Sequence, residues 1–367
     1  MAVKFLRATA DRMPSIRDLA NQVFRSRRPG DMAIEFPHLY AVDNASHWFC
    51  AVDGDRVISI IGVFVWPARV LGSCTTVATL GSVATDPAYR RQGWAGRLLQ
   101  WTARQLRLEG VRLVIISGDL PLYQRFGARP VGYVQWWRLT QPALGTVDSY
   151  SVRTLDPFRD AGWAAMLYQG RKTRLVRAGD LWPRLLAADP LAQVERGRSR
   201  PFMVEQHGVP VTYALFLENP QHGSDTSRLT EWAGDPVGLL AAAAAVQHTG
   251  RGVLIPVLEE DMALRTVLRQ AQAEMVKEGP FPYLAKIIDG AGWFDDLADL
   301  YDERGLGDIE VAEGEPDHYE IRFNGLMFQA NGAQLTRWCL GPLSEWPTPP
   351  ADRLHLPGFW PEGLIYV

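Results

Sequence analysis

The sequence predicts an α/β (α+β) protein made of two related mixed-sheet units, residues 1–145 and 146–290, followed by a small α+β unit over 291–367. Three observations carry this prediction. Leu80 to Leu99 reads as a strand, an Asp86-Pro87 turn, a basic glycine-containing loop and a helix whose apolar side holds Ala95, Leu98, Leu99 and Thr102. The same order recurs without the basic loop, in a strand closing at Asp235-Pro236 and an alanine-rich helix from Val237 to His248. From about Ala291 the pattern changes to short alternating segments, and prolines then dominate from Pro342 to Pro361.

In the first unit, Val3 to Arg7 is a strand and Met13 to Ser26 a helix that places Ile16, Leu19, Ala20 and Val23 on one side. Arg27 to Asp43 is rich in proline, glycine and aromatics, too irregular for one element. Trp48 to Val52 and Val57 to Trp66 are antiparallel strands joined at Asp53-Gly54-Asp55, a hairpin signal. Cys74 to Thr85 is the strand that enters the turn, and Val111 to Ile116 is an apolar strand after the helix. In the second unit Phe202 to Gln206 and Val211 to Leu217 flank His207-Gly208 as a strand pair, and Val253 to Val257 follows the helix. In the third, Phe294 to Leu300 is helical, while Asp317 to Arg322 and Gly325 to Thr336 alternate as a hairpin. The final Phe359-Trp360-Pro361-Glu362-Gly363-Leu364-Ile365-Tyr366-Val367 is too apolar to hang in water and is expected to insert between units or into a pocket.

Composition narrows the class. The 367 residues are 47% hydrophobic and 22% charged with a net charge of -3, which fits a globular protein with two or three cores. No overall basic field draws in nucleic acid or an anionic membrane, and neither partner is expected. Basic clusters at Arg25, Arg27 and Arg28, and at Arg196, Arg198 and Arg200, read as solvated loops because no aromatic pattern is interleaved with them. Cys50, Cys74 and Cys339 are odd in number and far apart, so a reducing cytoplasm is the expected setting. No signal-peptide or membrane-length apolar run occurs. The seven histidines are scattered, and no metal is expected.

The loop is where chemistry is expected. Gly93 and Gly96 let backbone approach a ligand, and the unpaired amides opening the helix favour an anion such as a pyrophosphate. Arg90 and Arg91 add charge-assisted contacts, with Gln92, Trp94 and Ala95 in the same turn. An ordinary solvated basic turn is the competing reading.

The spacing Arg90, Gly93, Ala95, followed after a helix and a strand by Leu122-Tyr123-Gln124-Arg125-Phe126-Gly127, resembles the GNAT superfamily of acyl-CoA-dependent N-acyltransferases over roughly the first 140 residues. The resemblance implies acetyl-CoA as co-substrate. It also implies that Val83, Ala84 and Thr85 present backbone groups to pantetheine beside a bulge, and that Gly118 and Asp119 contact the CoA arm. Tyr123 would then protonate the leaving thiolate, and Asp31, Glu35, Phe36 and His38 in the first connection are acceptor-contact candidates. An active unit, a degenerate copy and a small C-terminal unit together are similar to the enhanced intracellular survival (Eis) family. That likeness implies a sterol-carrier-like third unit, homo-oligomers that are often hexamers, and an open acidic pocket. Acceptors would be polycationic small-molecule amines resembling aminoglycosides or polyamines. In that family the terminal carboxylate, here of Val367, deprotonates the amine; a packing role for this end is the alternative. A tandem mycothiol-synthase type, a peptide or protein amine acetyltransferase and a non-catalytic CoA- or ligand-binding module stay open beside it.

Overall fold

A computed structural model describes residues 3–27, 30–140, 149–218, 226–247, 252–323, 325–342, 351–360 and 363–366. In chain order the early elements are β1 (Lys4–Arg7), α1 (Met13–Phe24), α2 (Met32–Glu35), β2 (Trp48–Asp53), β3 (Arg56–Val70) and β4 (Ser73–Thr85). Then come α3 (Trp94–Leu108), β5 (Leu113–Ile116), α4 (Pro121–Phe126), β6 (Arg129–Pro130) and β7 (Val134–Leu139). The middle of the chain holds β8 (Tyr150–Thr154), α5 (Ala161–Tyr168), β9 (Arg174–Leu175), α6 (Leu181–Ala188), α7 (Pro190–Glu195), β10 (Arg198–Gln206) and β11 (Val209–Glu218). It continues through β12 (Ser227–Gly234), α8 (Pro236–Val246), β13 (Val253–Leu258), α9 (Met262–Gln270), β14 (Glu274–Gly279) and β15 (Leu284–Ile287). The last elements are α10 (Gly290–Asp296), α11 (Ala298–Glu303), β16 (Glu310–Glu313), β17 (His318–Phe323), β18 (Leu326–Asn331), α12 (Gly332–Leu340) and α13 (Ala351–Leu354).

The strands form three sheets among the described residues. The first runs β1-β2-β3-β4-β5-β15-β6, with β9 paired to the far end of β3 at Ala68 and Arg69. The second runs β14-β7-β13-β12-β11-β10-β8, and the third is the small antiparallel β16-β17-β18. Each large sheet has one parallel pair at its centre, β4 with β5 and β12 with β13. The expected recurrence of strand pair, strand, Asp-Pro turn and helix is present in the second sheet.

The two large sheets exchange strands. β7 leaves the first unit to lie between β13 and β14, and β15 returns to lie between β5 and β6. The sequence boundaries at 145 and 290 therefore divide the chain without dividing the sheets. The two crossing segments touch where Phe281 N–H donates to the Val131 carbonyl, 3.0 Å away. Gly132 sits there at φ 68°, and a Cβ would meet the Phe281 ring at 2.3 Å, so both conformation and space demand glycine.

One apolar core unites the units. Trp66 and Leu113 of the first sheet, Val134 and Leu258 of the second, and Trp293, Tyr301 and Leu335 of the third unit pack together. The tail residues Phe359 and Ile365 join the same core, as their apolar character demands. Two expectations change in the third unit. The segment from Gly332 is helix rather than strand, because Asn331 accepts from Gln334 N–H while Gln334 Oε1 accepts from Asn331 N–H, a reciprocal cap that ends β18. The helix expected at Phe294 to Leu300 is split between α10 and α11 at Leu297.

Candidate active site

The site forms where β4 and β5 part. They pair in parallel from Val77 and Leu113 to Leu80 and Ile116, and no further. β4 then bulges: Gly62 faces Gly81 and Ile60 faces Ala84, leaving an extra residue on β4 at Ser82-Val83. Ser82 adopts φ 50°, and its Oγ accepts from Tyr40 Oη at 3.0 Å, which fixes the bulge. Ala84 and Thr85 stay paired with Ile60 and Ser59 of β3, so the edge facing the gap is the one without a strand partner. Val83, Ala84 and Thr85 here are the positions for which the GNAT resemblance implies pairing with pantetheine.

The turn after β4 is held from below and open above. Asp86 accepts from Ala88 N–H at 2.9 Å and from Arg56 at 2.6 Å, so the chain reverses at a fixed point. Arg91 at φ 62° and Gly93 at φ 78° then curl the backbone, and no side chain caps α3 at Gly93. Left-handed residues next to an uncapped helix start make a concave amide nest suited to phosphate oxygens. Arg90 flanks it, its Nε on the Thr85 carbonyl at 3.2 Å, and Gln92 Oε1 accepts from Trp94 Nε1 at 3.1 Å. Ala95 lies in the first turn of α3 beside Gly96, whose open face rests near Leu122 of α4. The second sheet lacks this device: Asp235 caps α8 through Val237 N–H at 3.1 Å, and arginines are absent from the turn.

Tyr123 reaches the gap from α4. The helix ends in a left-handed Gly127, with Ala128 N–H returning to the Tyr123 carbonyl at 3.0 Å, a Schellman-type stop. Lys286 of β15 donates to the Phe126 carbonyl at 2.9 Å and lies over the Phe126 ring, tying the helix end to the exchanged strand. Gly118 leaves room for the Tyr123 ring, since a Cβ there would meet Cε2 at 2.7 Å. Burial pushes the Tyr123 phenol up to about 12, so it remains a proton donor at neutral pH. Asp119 is exposed beside Gly118.

A cleft of about 950 Å³ joins these parts. Ser82 and Val83 of the bulge, Gly118, Tyr123, Phe36 and Tyr366 all border it. Tyr366 arrives from the tail, which turns at Gly363 with its Leu364 N–H donating to Glu231 at 3.2 Å. Val367 lies outside the described residues.

The other acceptor-contact candidates are occupied elsewhere. Asp31 caps α2 and accepts from Arg17 and Asn21; burial would raise its carboxyl, but Arg17 and the Ala33 N–H outweigh that and hold it below the usual range. Glu35 pairs with Arg25, both nearly buried at 9% and 7% exposure. His38 sits in an aromatic nest, its ring 5.4 Å from Phe64 and 6.1 Å from Trp66, fully enclosed. No carboxylate side chain lines the cleft among the described residues. Instead Arg27 and Arg196 border it, one from each basic cluster that reads as solvated loop in the sequence. Nothing in the sequence marks them as partners, because one follows α1 and the other ends α7.

The gap of the second sheet is filled. β12 and β13 pair only at Ser227 with Val253 and Arg228 with Leu254, and β12 bulges at Thr230. Trp360 Nε1 donates to the Thr230 carbonyl at 2.8 Å, so the tail occupies the position that the first sheet leaves open.

Comparison with known proteins defines the class. Residues 4–131 match the family model described as an acetyltransferase (GNAT) domain. The chain therefore carries an acetyltransferase (GNAT) domain in its first part, and the loop, bulge and Tyr123 all fall within it. No curated protein matches the sequence. Among solved structures, a GCN5-related N-acetyltransferase from Anabaena variabilis aligns with 90% of this chain and 86% of its own at a TM-score of 0.66 and 15% identity. A probable N-acyltransferase from Enterococcus faecalis gives 0.63 at 13% identity, over 91% of this chain and 86% of its own. Eis1 from Mycobacterium abscessus gives 0.56 at 14%, over 90% and 85%. These likenesses extend the shared fold through both large sheets and the third unit.

Proposed function

We propose that the chain is an acetyl-CoA-dependent N-acetyltransferase acting on a primary amine of a small molecule. The carrying observation is the placement of Tyr123, admitted by Gly118, across the same cleft from the bulged edge at Ser82-Val83. The amide nest at Arg91 to Trp94 fits the pyrophosphate of CoA, and the unpaired edge of β4 beyond Leu80 fits its pantetheine arm.

The chemistry asks little of the protein beyond alignment. The amine nitrogen bonds to the thioester carbon, the C–S bond breaks with its electron pair on sulfur, the sulfur takes the Tyr123 proton, and the proton that the nitrogen sheds on becoming an amide returns through solvent to the phenolate. Backbone N–H groups at the bulge are placed to stabilise negative charge on the carbonyl oxygen. The ammonium form of the acceptor must first lose a proton. In this proposal the carboxylate of Val367, next to the cleft-lining Tyr366, accepts it.

The polycationic acceptor implied by the Eis likeness enters the test as one arm, because the cleft offers such a molecule no carboxylate side chain among the described residues. Free thiol release from acetyl-CoA with a panel of amines tests the reading. Tyr123→Phe is expected to lower kcat by about a hundredfold or more while acetyl-CoA affinity stays within about twofold. Equal loss of affinity and turnover would remove Tyr123 from the acid role. Extending the chain by one residue past Val367 should slow transfer several-fold; full activity in that variant would take the carboxylate out of the mechanism.

A further inference from the structure

The charge of the cleft points to the acceptor. Arg27 follows α1, and Arg196 closes α7 at φ 53°, a left-handed conformation that turns the chain at the cleft rim. Both are exposed, and neither makes an ion pair or hydrogen bond with the described residues. Arg90 also borders the cleft but belongs to the amide nest, whereas Arg25 is neutralised by Glu35. Arg27 and Arg196 thus line the same cleft as Tyr123, with no carboxylate side chain among the described residues of its lining. The rest of the wall is largely apolar, with Val194 and Tyr366 packed against the α1 and α2 core, so the arginines are the charged contacts it offers beside the amide nest.

We propose that the amine acceptor carries an anionic group, a carboxylate or phosphate, which Arg27 and Arg196 hold while its amine is acetylated. This rests on the acetyltransferase reading above and names its substrate class. A guanidinium offers paired donors to either anion, with geometric as well as electrostatic selectivity. The same positive field disfavours an ammonium and so enriches the neutral amine that attacks the thioester. A polycationic acceptor meets repulsion at both arginines, with no carboxylate side chain among the described cleft-lining residues to offset it.

Matched amines test this: phosphoethanolamine against ethanolamine, and amino acids against their amides, with spermidine and an aminoglycoside as polycations. Thiol release and calorimetric binding to the CoA-loaded protein are measured for each. The anionic member of a pair is expected to bind more tightly and to show the higher kcat/KM. Arg27→Gln and Arg196→Gln should each raise its KM roughly tenfold, leave its neutral counterpart within about twofold and leave acetyl-CoA affinity unchanged. The proposal is overturned if no anionic member binds better than its neutral counterpart, or if polycations are used as well. It is also overturned if the substitutions weaken acetyl-CoA binding instead, which would assign both arginines to the co-substrate. Anion-selective binding with no thiol release from any amine would sustain the anion site and remove the acetyltransferase reading, so the two failures are separable.

Discussion

Tyr123 and His38 are both buried aromatics with a titratable group, and packing sends them in opposite functional directions. At Tyr123 burial keeps the phenol protonated up to about 12, so the pH profile of kcat/KM should show no alkaline fall assignable to it between pH 7 and 10. A fall there that disappears in Tyr123→Phe would contradict this. His38 is neutral because burial, and then the charge of Arg177, lower its imidazole to about 3. The unfolded chain takes up that proton near pH 6.5, whereas the folded chain does so only near 3. Stability is therefore expected to fall as pH drops from about 6.5 towards 3, by up to about 1.4 kcal/mol per pH unit from this residue. His38→Phe should flatten that slope in denaturant unfolding between pH 4 and 7. Tyr123 could be found in the sequence because its short helix carries a local signature, Tyr-x-x-Phe-Gly. His38 could not be placed, since whether a histidine in an irregular connection faces a pocket or an aromatic core depends on Phe64 and Trp66, which approach only in the folded chain.

At the scale of elements, what the sequence discloses is what neighbouring residues decide. The hairpin at Asp53-Gly54-Asp55, the Asp86-Pro87 turn and the glycine end of α4 all follow from residues within a few positions of one another. The bulge is different. Nothing in the sequence around Ser82 marks a left-handed residue, and its backbone is imposed by the offset between β3 and β4 together with Tyr40. Gly118 lies between the two cases, visible as a glycine after a strand yet explained only by the ring it admits. Gly118→Ala should leave the sheets intact by circular dichroism but displace the phenol and lower kcat by about tenfold or more. Wild-type turnover in that variant would mean that the ring position is immaterial.

For the whole molecule, the tail is the connection that sequence reading anticipates in character but not in path. It fills the gap of the second sheet with Trp360, turns on Glu231 and brings Tyr366 to the cleft of the first. Glu231 is itself held by Arg177 at 2.7 and 2.8 Å and by Tyr213 at 2.8 Å, a fully paired buried charge that gives the tail a rigid footing. Gly363 sits at φ 97° with no room for a Cβ, which would lie 2.6 Å from Glu231 Oε2. Gly363→Ala is expected to shift Tyr366 and reduce kcat/KM for the acceptor at least fivefold while acetyl-CoA affinity holds. An unchanged acceptor KM and kcat would show that the end of the chain does not shape the cleft. The strand exchange lies beyond sequence reading for a related reason: β7 and β15 are short apolar runs with no local mark of which sheet they join.

That exchange also imposes a schedule on synthesis. β5 and β6 are made early, but the strand that belongs between them, Leu284–Ile287, is translated only after nearly all of the second sheet. At roughly 5–20 residues per second, the nascent chain waits on the order of 10–30 s with the place between β5 and the edge strand β6 of its first sheet unfilled. During that wait two strand edges and the underside of the Tyr123 helix are open to other chains, so the step most exposed to aggregation comes before the last fifth or so of the protein is made.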